Sequence, residues 1–88
     1  MNQSILFPDI QTWNEELQAV VFPAQQAGAL IECAVSLVEL SRLAAQPIDG
    51  EQQALAIFQT LRFDLEEIAE ALIEEEEYNQ RGQIDVIS

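Results

Sequence analysis

The sequence predicts an α+β domain: a small, mostly antiparallel sheet with helices packed on one of its faces. Up to residue 35, β-branched and aromatic runs are punctuated by proline and glycine, as in strands. From residue 36 the apolar residues recur at helical spacing, and a last segment of strand type follows. With 88 residues, 49% of them apolar, we treat residues 1–88 as a single domain.

The first predicted strand is Ser4–Phe7, an apolar run that stops at Pro8. Proline ends the run because it lacks the N–H that a sheet ladder needs. Residues 13–16 follow as a predicted turn, anchored by the aromatic ring of Trp13. The chain is therefore expected to leave the sheet before the second strand.

A hairpin is predicted next, from the runs Gln18–Phe22 and Ala29–Val35. Pro23 closes the first run or marks a sheet edge. Residues 25–28 supply the turn, in which Gly28 is free to take a positive φ. Period two in the second run places three apolar side chains on one face, Ile31, Cys33 and Val35.

A short helix is predicted to begin after Ser36 and to end before Pro47. Ser36 and Glu39 have the spacing of a capping box, in which each side chain satisfies a backbone N–H of the other residue. Pro47 forbids continuation and pushes Gln46 out of the helical region. We expect about ten helical residues.

A long acidic amphipathic helix is predicted between residues 50 and 79. Asp49 is its predicted N-cap, and Gln52 stands where it completes a capping box. One helix is preferred to two, and a kink at residues 62–64 stays open. The preference depends on an apolar stripe that keeps its phase through residues 55, 58, 61, 65, 68 and 72.

Gly82 is the predicted residue just beyond the long helix. Residues 83–87 then form a last strand that pairs with the hairpin sheet. The predicted sheet thus contains three N-terminal strands plus this C-terminal strand, with the short and the long helix on one face.

Four motifs recur in a distinctive order: residues 4–9 with Trp13, residues 21–24, residues 32–36 and residues 62–70. Together they resemble a family of small bacterial YrdB-like proteins, the domain of unknown function 1488. The resemblance spans nearly the whole chain and implies an α+β single domain without an established activity or known site residues. Ala27-Gly28 departs from the Asn-Gly or Asp-Gly of relatives, the pairs that favour a tight primed turn.

The charge pattern excludes several classes of partner. Sixteen acidic residues against three arginines give a net charge of −13, which repels phosphates and anionic lipid. No direct nucleic-acid or membrane partner is therefore expected. The chain also lacks an apolar stretch of roughly 18 residues, a basic signal segment and a second cysteine, so a cytoplasmic protein is predicted.

No enzyme activity, cofactor or metal site is predicted. The chain has no His, and Cys33 stands beside Glu32 where a reactive thiol needs a positive neighbour. One helix offers carboxylates in a row, whereas Ca²⁺ or Mg²⁺ needs oxygens from several directions. A carboxylate-based metal site or enzyme is the least favoured alternative, because a chain this short rarely builds the cleft that two catalytic carboxylates need.

Half of the acidic residues fall between Asp64 and Glu77. Spacings of 4, 4 and 3 place four of them on one face of the predicted helix, and these are the predicted partner-binding residues: Glu66, Glu70, Glu74 and Glu77. The function predicted from them is accessory or regulatory protein–protein interaction with a basic protein. A solvated face that keeps the protein soluble, and a nucleic-acid mimic that inhibits a DNA-binding protein, are the alternatives.

The aromatic residues Trp13, Phe63 and Tyr78 have two interpretations. They pack at the rim of the core, or they mark a patch for self-association. A homodimer therefore stays open beside a monomer, since a small domain gains stability by associating.

Overall fold

The computed structural model describes residues 5–87, and its elements confirm the α+β class. The strands in this range are β1 Ile5–Leu6, β2 Thr12–Asn14, β3 Ala19–Gln26, β4 Ala29–Ser36 and β5 Ile84–Asp85. The helices are α1 Leu37–Ala44, α2 Glu51–Thr60 and α3 Arg62–Glu74. Ser4, which we predicted to begin the first strand, lies outside the described residues.

The sheet is built around the antiparallel hairpin of β3 and β4. β1 and β2 both pair antiparallel with the free edge of β3, one near each end of that strand. Pro23 lies within β3, between the two stretches that β1 and β2 pair with, so it does not close the strand. It stands at an open stretch of the sheet edge, which was the other predicted alternative. β5 pairs parallel with β4, because the chain returns to it through three helices.

The predicted turn at residues 13–16 is wrong in its first half, because Trp13 and Asn14 belong to β2 and pair with β3. Thr and Trp are favourable strand residues, and three of them suffice along an existing edge. The turn begins only at Glu15, where the side chain of Asn14 accepts the N–H of Leu17 at 2.9 Å. The indole N–H of Trp13 donates to Glu15 at 2.7 Å.

The β3–β4 turn is tight despite lacking the favoured Asn-Gly pair. Ala27 and Gly28 both have positive φ, 52° and 83°, which is the pattern of a type I′ turn. The methyl group of Ala27 makes this conformation costly by about 1–2 kcal/mol, whereas Gly28 adopts it freely. The register of the long hairpin therefore holds Ala27 in a strained conformation.

We expect the substitution Ala27→Asn to raise the free energy of unfolding by about 0.5–1 kcal/mol, because asparagine tolerates positive φ better than alanine. The midpoint of thermal unfolding, followed by circular dichroism, should rise by about 3–6 °C. Ala29→Asn is the control, since Ala29 is exposed in β4 and its φ is not positive. An equal gain in both variants would contradict the strain at Ala27.

α1 begins as predicted, with the Ser36 hydroxyl accepting the N–H of Glu39 at 3.0 Å. The carboxylate of Glu39 accepts two hydrogen bonds from the guanidinium of Arg42, at 2.6 and 3.1 Å. The helix spans eight residues and ends at Ala44, because Ala45 turns to a left-handed φ of 56°. It is thus slightly shorter than predicted.

The preference for one long helix is wrong, because α2 ends at Thr60 and α3 begins at Arg62. The carbonyl of Ile57 accepts both the hydroxyl of Thr60 at 2.8 Å and the N–H of Leu61 at 3.1 Å. Leu61 then departs from helical geometry, with φ −105° and ψ 9°. The apolar stripe keeps its phase because only this one residue interrupts the two helices.

The predicted ends of the long helix are also wrong. Gly50, not Asp49, is the N-cap of α2, and the side chain of Gln53 accepts the N–H of Asp49 at 2.7 Å. At the other end α3 stops at Glu74, eight positions before Gly82. Clustered carboxylates oppose the negative end of the helix dipole, and the chain turns away with Glu76 at a positive φ of 58°.

The core lies between the helices and one face of the sheet. Phe22 of β3 and Phe58 of α2 are fully buried, with ring centroids 5.1 Å apart. The predicted strand face of β4 is confirmed, since its three apolar side chains are buried in this core. None of the helices within residues 5–87 has the length and apolar character needed to cross a bilayer.

Candidate partner-binding surface

Arg62 connects the start of α3 to the loop between β1 and β2. Its guanidinium donates to the side chain of Gln11 at 2.6 Å, to the carbonyl of Pro8 at 2.8 Å and to Glu66 at 3.0 Å. It also lies 5.3 Å from the ring centroid of Phe58, a favourable cation–π distance. Because only 9% of Arg62 is exposed, this network is part of the structural framework.

The four predicted partner-binding acids do not form one free helix face. Glu66 is bound to Arg62, and only 17% of its side chain is exposed. Glu70 and Glu74 lie one turn apart on α3, half-buried and exposed respectively. Glu77 lies beyond the end of α3, so its predicted place on the helix is wrong. The acids that remain available on the predicted face are Glu70 and Glu74.

Phe63 is the unexpected feature of this surface. It is 83% exposed, so the interpretation that it packs at the core rim is wrong. Helical spacing of three, four and seven residues brings it to the side of α3 that carries Glu66, Glu67 and Glu70. The apolar periodicity of the sequence indicates only that Phe63 lies outside the apolar stripe, and it does not predict how exposed the ring is.

An open groove of about 450 Å³ runs beside Phe63. It lies between the start of α3 and the loop that joins β1 to β2. Its lining residues are Phe7, Asp9, Gln59, Arg62, Phe63 and Glu66. The charged groups of this groove are engaged with one another, since Arg62 bonds Glu66 and lies 3.6 Å from Asp9. The groove therefore offers shape and an aromatic wall more than free charge.

The other two aromatic residues contribute less to this surface. Trp13 is half-buried and packs against the core, as the rim interpretation predicts. Tyr78 is 41% exposed and follows α3 by four positions. Phe63 is thus the aromatic side chain that α3 itself presents to solvent.

Cys33 is a buried structural thiol, as predicted. It is fully inaccessible on β4, and its Sγ lies 3.9 Å from the carbonyl oxygen of Ile31. Burial, with a smaller contribution from the charge of Glu32, raises the pKa of Cys33 from 9.0 to about 12. The thiol therefore stays protonated at neutral pH and is a poor nucleophile.

Metal ligands are not brought together in the described part of the chain. Within residues 5–87, no group of three or more His, Cys, Asp or Glu side chains is arranged to hold a metal ion. The acids of α3 follow one another along a single helix, and Glu66 is already bonded to Arg62.

Comparison with known proteins agrees with the motifs noted above. A family model described as "Protein of unknown function (DUF1488)" matches residues 5–86. Uncharacterized protein YrdB of Escherichia coli K12 is 42% identical over 82 residues, covering 93% of this chain and 94% of that protein. Its Shigella flexneri counterpart is 40% identical over the same length. A crystal structure of a DUF1488 protein of unknown function from Shewanella loihica PV-4 matches with a TM-score of 0.93 and 46% identity, covering 98% of this chain and 94% of that one.

Proposed function

The chain belongs to the DUF1488 family of proteins of unknown function, and from this premise we propose that it is a non-catalytic cytoplasmic protein that binds a basic protein partner through α3. The proposal depends on one observation: Phe63 is 83% exposed on the helix side that carries Glu70 and Glu74. The role of such binding is accessory or regulatory.

An exposed aromatic ring beside free acids has the composition of a docking site. Burying the Phe63 ring against a partner contributes about 1.5–3 kcal/mol, and aromatic residues are favoured at the centre of interfaces. The carboxylates of Glu70 and Glu74 add attraction for lysine or arginine, which raises the association rate and the selectivity. The expected partner therefore has a basic surface with an apolar recess that accepts the Phe63 ring.

Two observations favour binding over catalysis. The pKa of Cys33 is raised to about 12 and its thiol is buried, so it is unsuited to nucleophilic attack. In the groove beside Phe63, the Glu66 carboxylate is already bonded to Arg62. The free acids of the surface lie along one helix face instead of facing each other across a cleft, as the paired carboxylates of a glycosidase do.

Nucleic-acid mimicry has less support from the geometry. The row of free acids on this side of α3 consists of Glu67, Glu70 and Glu74, which span about 10 Å along the helix axis. A DNA strand presents a charge about every 3.4 Å over a long track. A short row beside an exposed phenylalanine fits a protein surface better than a phosphate-binding groove.

The proposal is tested by affinity capture from an extract of the source organism at low salt, with mass spectrometry. We expect basic proteins to be recovered with the native chain, and the triple substitution Phe63→Ala, Glu70→Gln, Glu74→Gln to reduce that recovery at least about tenfold. High salt should reduce recovery by the native chain as well, because the attraction is screened.

The matched control neutralises two acids elsewhere, Glu16→Gln with Asp49→Asn, both exposed and outside α3. It changes the net charge by the same amount as the substitutions at Glu70 and Glu74. If this control loses the partner as completely as the α3 variant, the attraction belongs to the overall charge and the proposed site is wrong.

A further inference from the structure

No helix packs on the sheet face opposite the core in the part of the chain that the structure describes. All three helices pack on the face that carries the buried side chains of β3, β4 and β5. The opposite face and its continuation beyond β5 present three large apolar side chains that stay 61–69% exposed: Leu6, Leu30 and Ile87.

The apolar side chains lie at two ends of this face. Leu6 of β1 and Leu30 of β4 both stand opposite Gln25 of β3, in one row across the sheet, and form a projecting end. At the other end, Ile87 and Leu17 border a groove of about 220 Å³. That groove is large enough to admit a leucine side chain, so we call it the recessed end.

Charge is scarce on this face. Of the described strand residues that point to it, only Glu32 and Asp85 are charged, and Arg81 borders a neighbouring groove together with Asp85. Glu32 also accepts a hydrogen bond from the side chain of Gln83 at 2.6 Å. The net charge of −13 repels a second, equally acidic copy, but the strand residues of this face add few charges to that repulsion.

We infer that this face binds a second copy of the same chain, with the two sheets packed face to face about a two-fold axis. A two-fold axis that runs perpendicular to the strands places the projecting end of each copy over the recessed end of the other, so that Leu30 of each meets the groove beside Ile87. This arrangement buries the projecting end of each copy in the recessed end of the other. It also leaves both α3 helices on the outside of the dimer.

The size of the face sets the strength of the dimer. Four strand positions about 4.8 Å apart and eight residues of about 3.3 Å bound a face of at most about 500 Å², because β1, β2 and β5 fill only part of the outer positions. Two copies therefore bury at most about 1,000 Å², which is the lower limit for a specific interface. The dimer is expected to be weak and to form in proportion to concentration.

Salt separates this association from the binding of a basic partner. Added salt screens the repulsion between two acidic copies and strengthens an apolar interface, so self-association should increase. The same salt weakens attraction between the acids of α3 and a basic protein. The two proposals therefore fail or succeed independently, and opposite responses to salt distinguish them.

The test is sedimentation equilibrium of the full chain from micromolar to near-millimolar concentration. We expect the native chain to dimerise, more strongly at high salt, and Leu30→Glu to lower the association constant at least about tenfold. Circular dichroism checks that the variant folds. Folding is expected because Leu30 is 69% exposed in the native chain.

Val38→Glu is the matched control, because Val38 is a similarly exposed apolar residue, 76%, on the helix layer. It adds the same charge away from the sheet and should leave the association constant within about twofold of the native value. A native chain that stays monomeric at every concentration and salt would overturn the inference. An equal loss of association in both variants would also overturn it, since charge and not the sheet face would then govern assembly.

Discussion

Replacing Arg62 with methionine is expected to lower the free energy of unfolding by about 2–4 kcal/mol. The guanidinium is 9% exposed and serves Glu66, Gln11 and the carbonyl of Pro8 at once. Removing the guanidinium leaves the Glu66 carboxylate largely buried without a charge partner. The loop between β1 and β2 also loses its hydrogen bonds to Arg62 of α3. Urea unfolding followed by circular dichroism measures the loss.

Two variants make this prediction specific. Arg81→Met removes an exposed arginine and should change stability by less than about 0.5 kcal/mol. Adding Glu66→Gln to Arg62→Met should recover part of the loss, since the buried carboxylate no longer has to be ionised without a partner. A loss below about 1 kcal/mol for Arg62→Met would show that water replaces the guanidinium easily.

Phe58→Ala is expected to cost about 3–5 kcal/mol, the range for deleting a buried phenylalanine. The ring is fully inaccessible, packs against Phe22 at 5.1 Å between centroids and lies beneath the guanidinium of Arg62. A domain of this length has about 4–13 kcal/mol of total stability, so the variant is expected to lose a large part of it. The urea midpoint and the slope of unfolding measure the change.

Phe63→Ala is the matched control within the same two-helix segment. Phe63 is 83% exposed, so its truncation should alter stability by no more than about 0.5 kcal/mol. Similar losses in both variants would mean that Phe63 is packed in solution, and that finding would also remove the basis of the proposed partner site.

Alternation and period identify the strands and their buried face, because burial repeats every second residue. The face of β4 that carries Cys33 was therefore predictable from sequence. The break between α2 and α3 was not, since the apolar stripe stays in phase through the departure of Leu61 from helical geometry. The choice of Gly50 over Asp49 as N-cap likewise depends on the reach of Gln53 to the Asp49 N–H.

The candidate surface was predictable only as a cluster of acids. Which acids remain free depends on contacts distant in sequence, and Arg62 shows this most clearly. Its bonds to the N-terminal loop join residues more than 50 positions apart and hold the guanidinium where it engages Glu66. The exposure of Phe63 depends in turn on how α3 lies on the sheet. Periodicity along one segment contains no information about either.

The parallel pairing of β5 with β4 has a consequence for biosynthesis. Cys33 pairs with Ile84, which follows it by 84 − 33 = 51 positions. At translation rates of about 5–20 residues per second, the ribosome adds Ile84 about 3–10 s after Cys33. The outer edge of β4 therefore stays without its β5 partner until the C-terminal segment has been made.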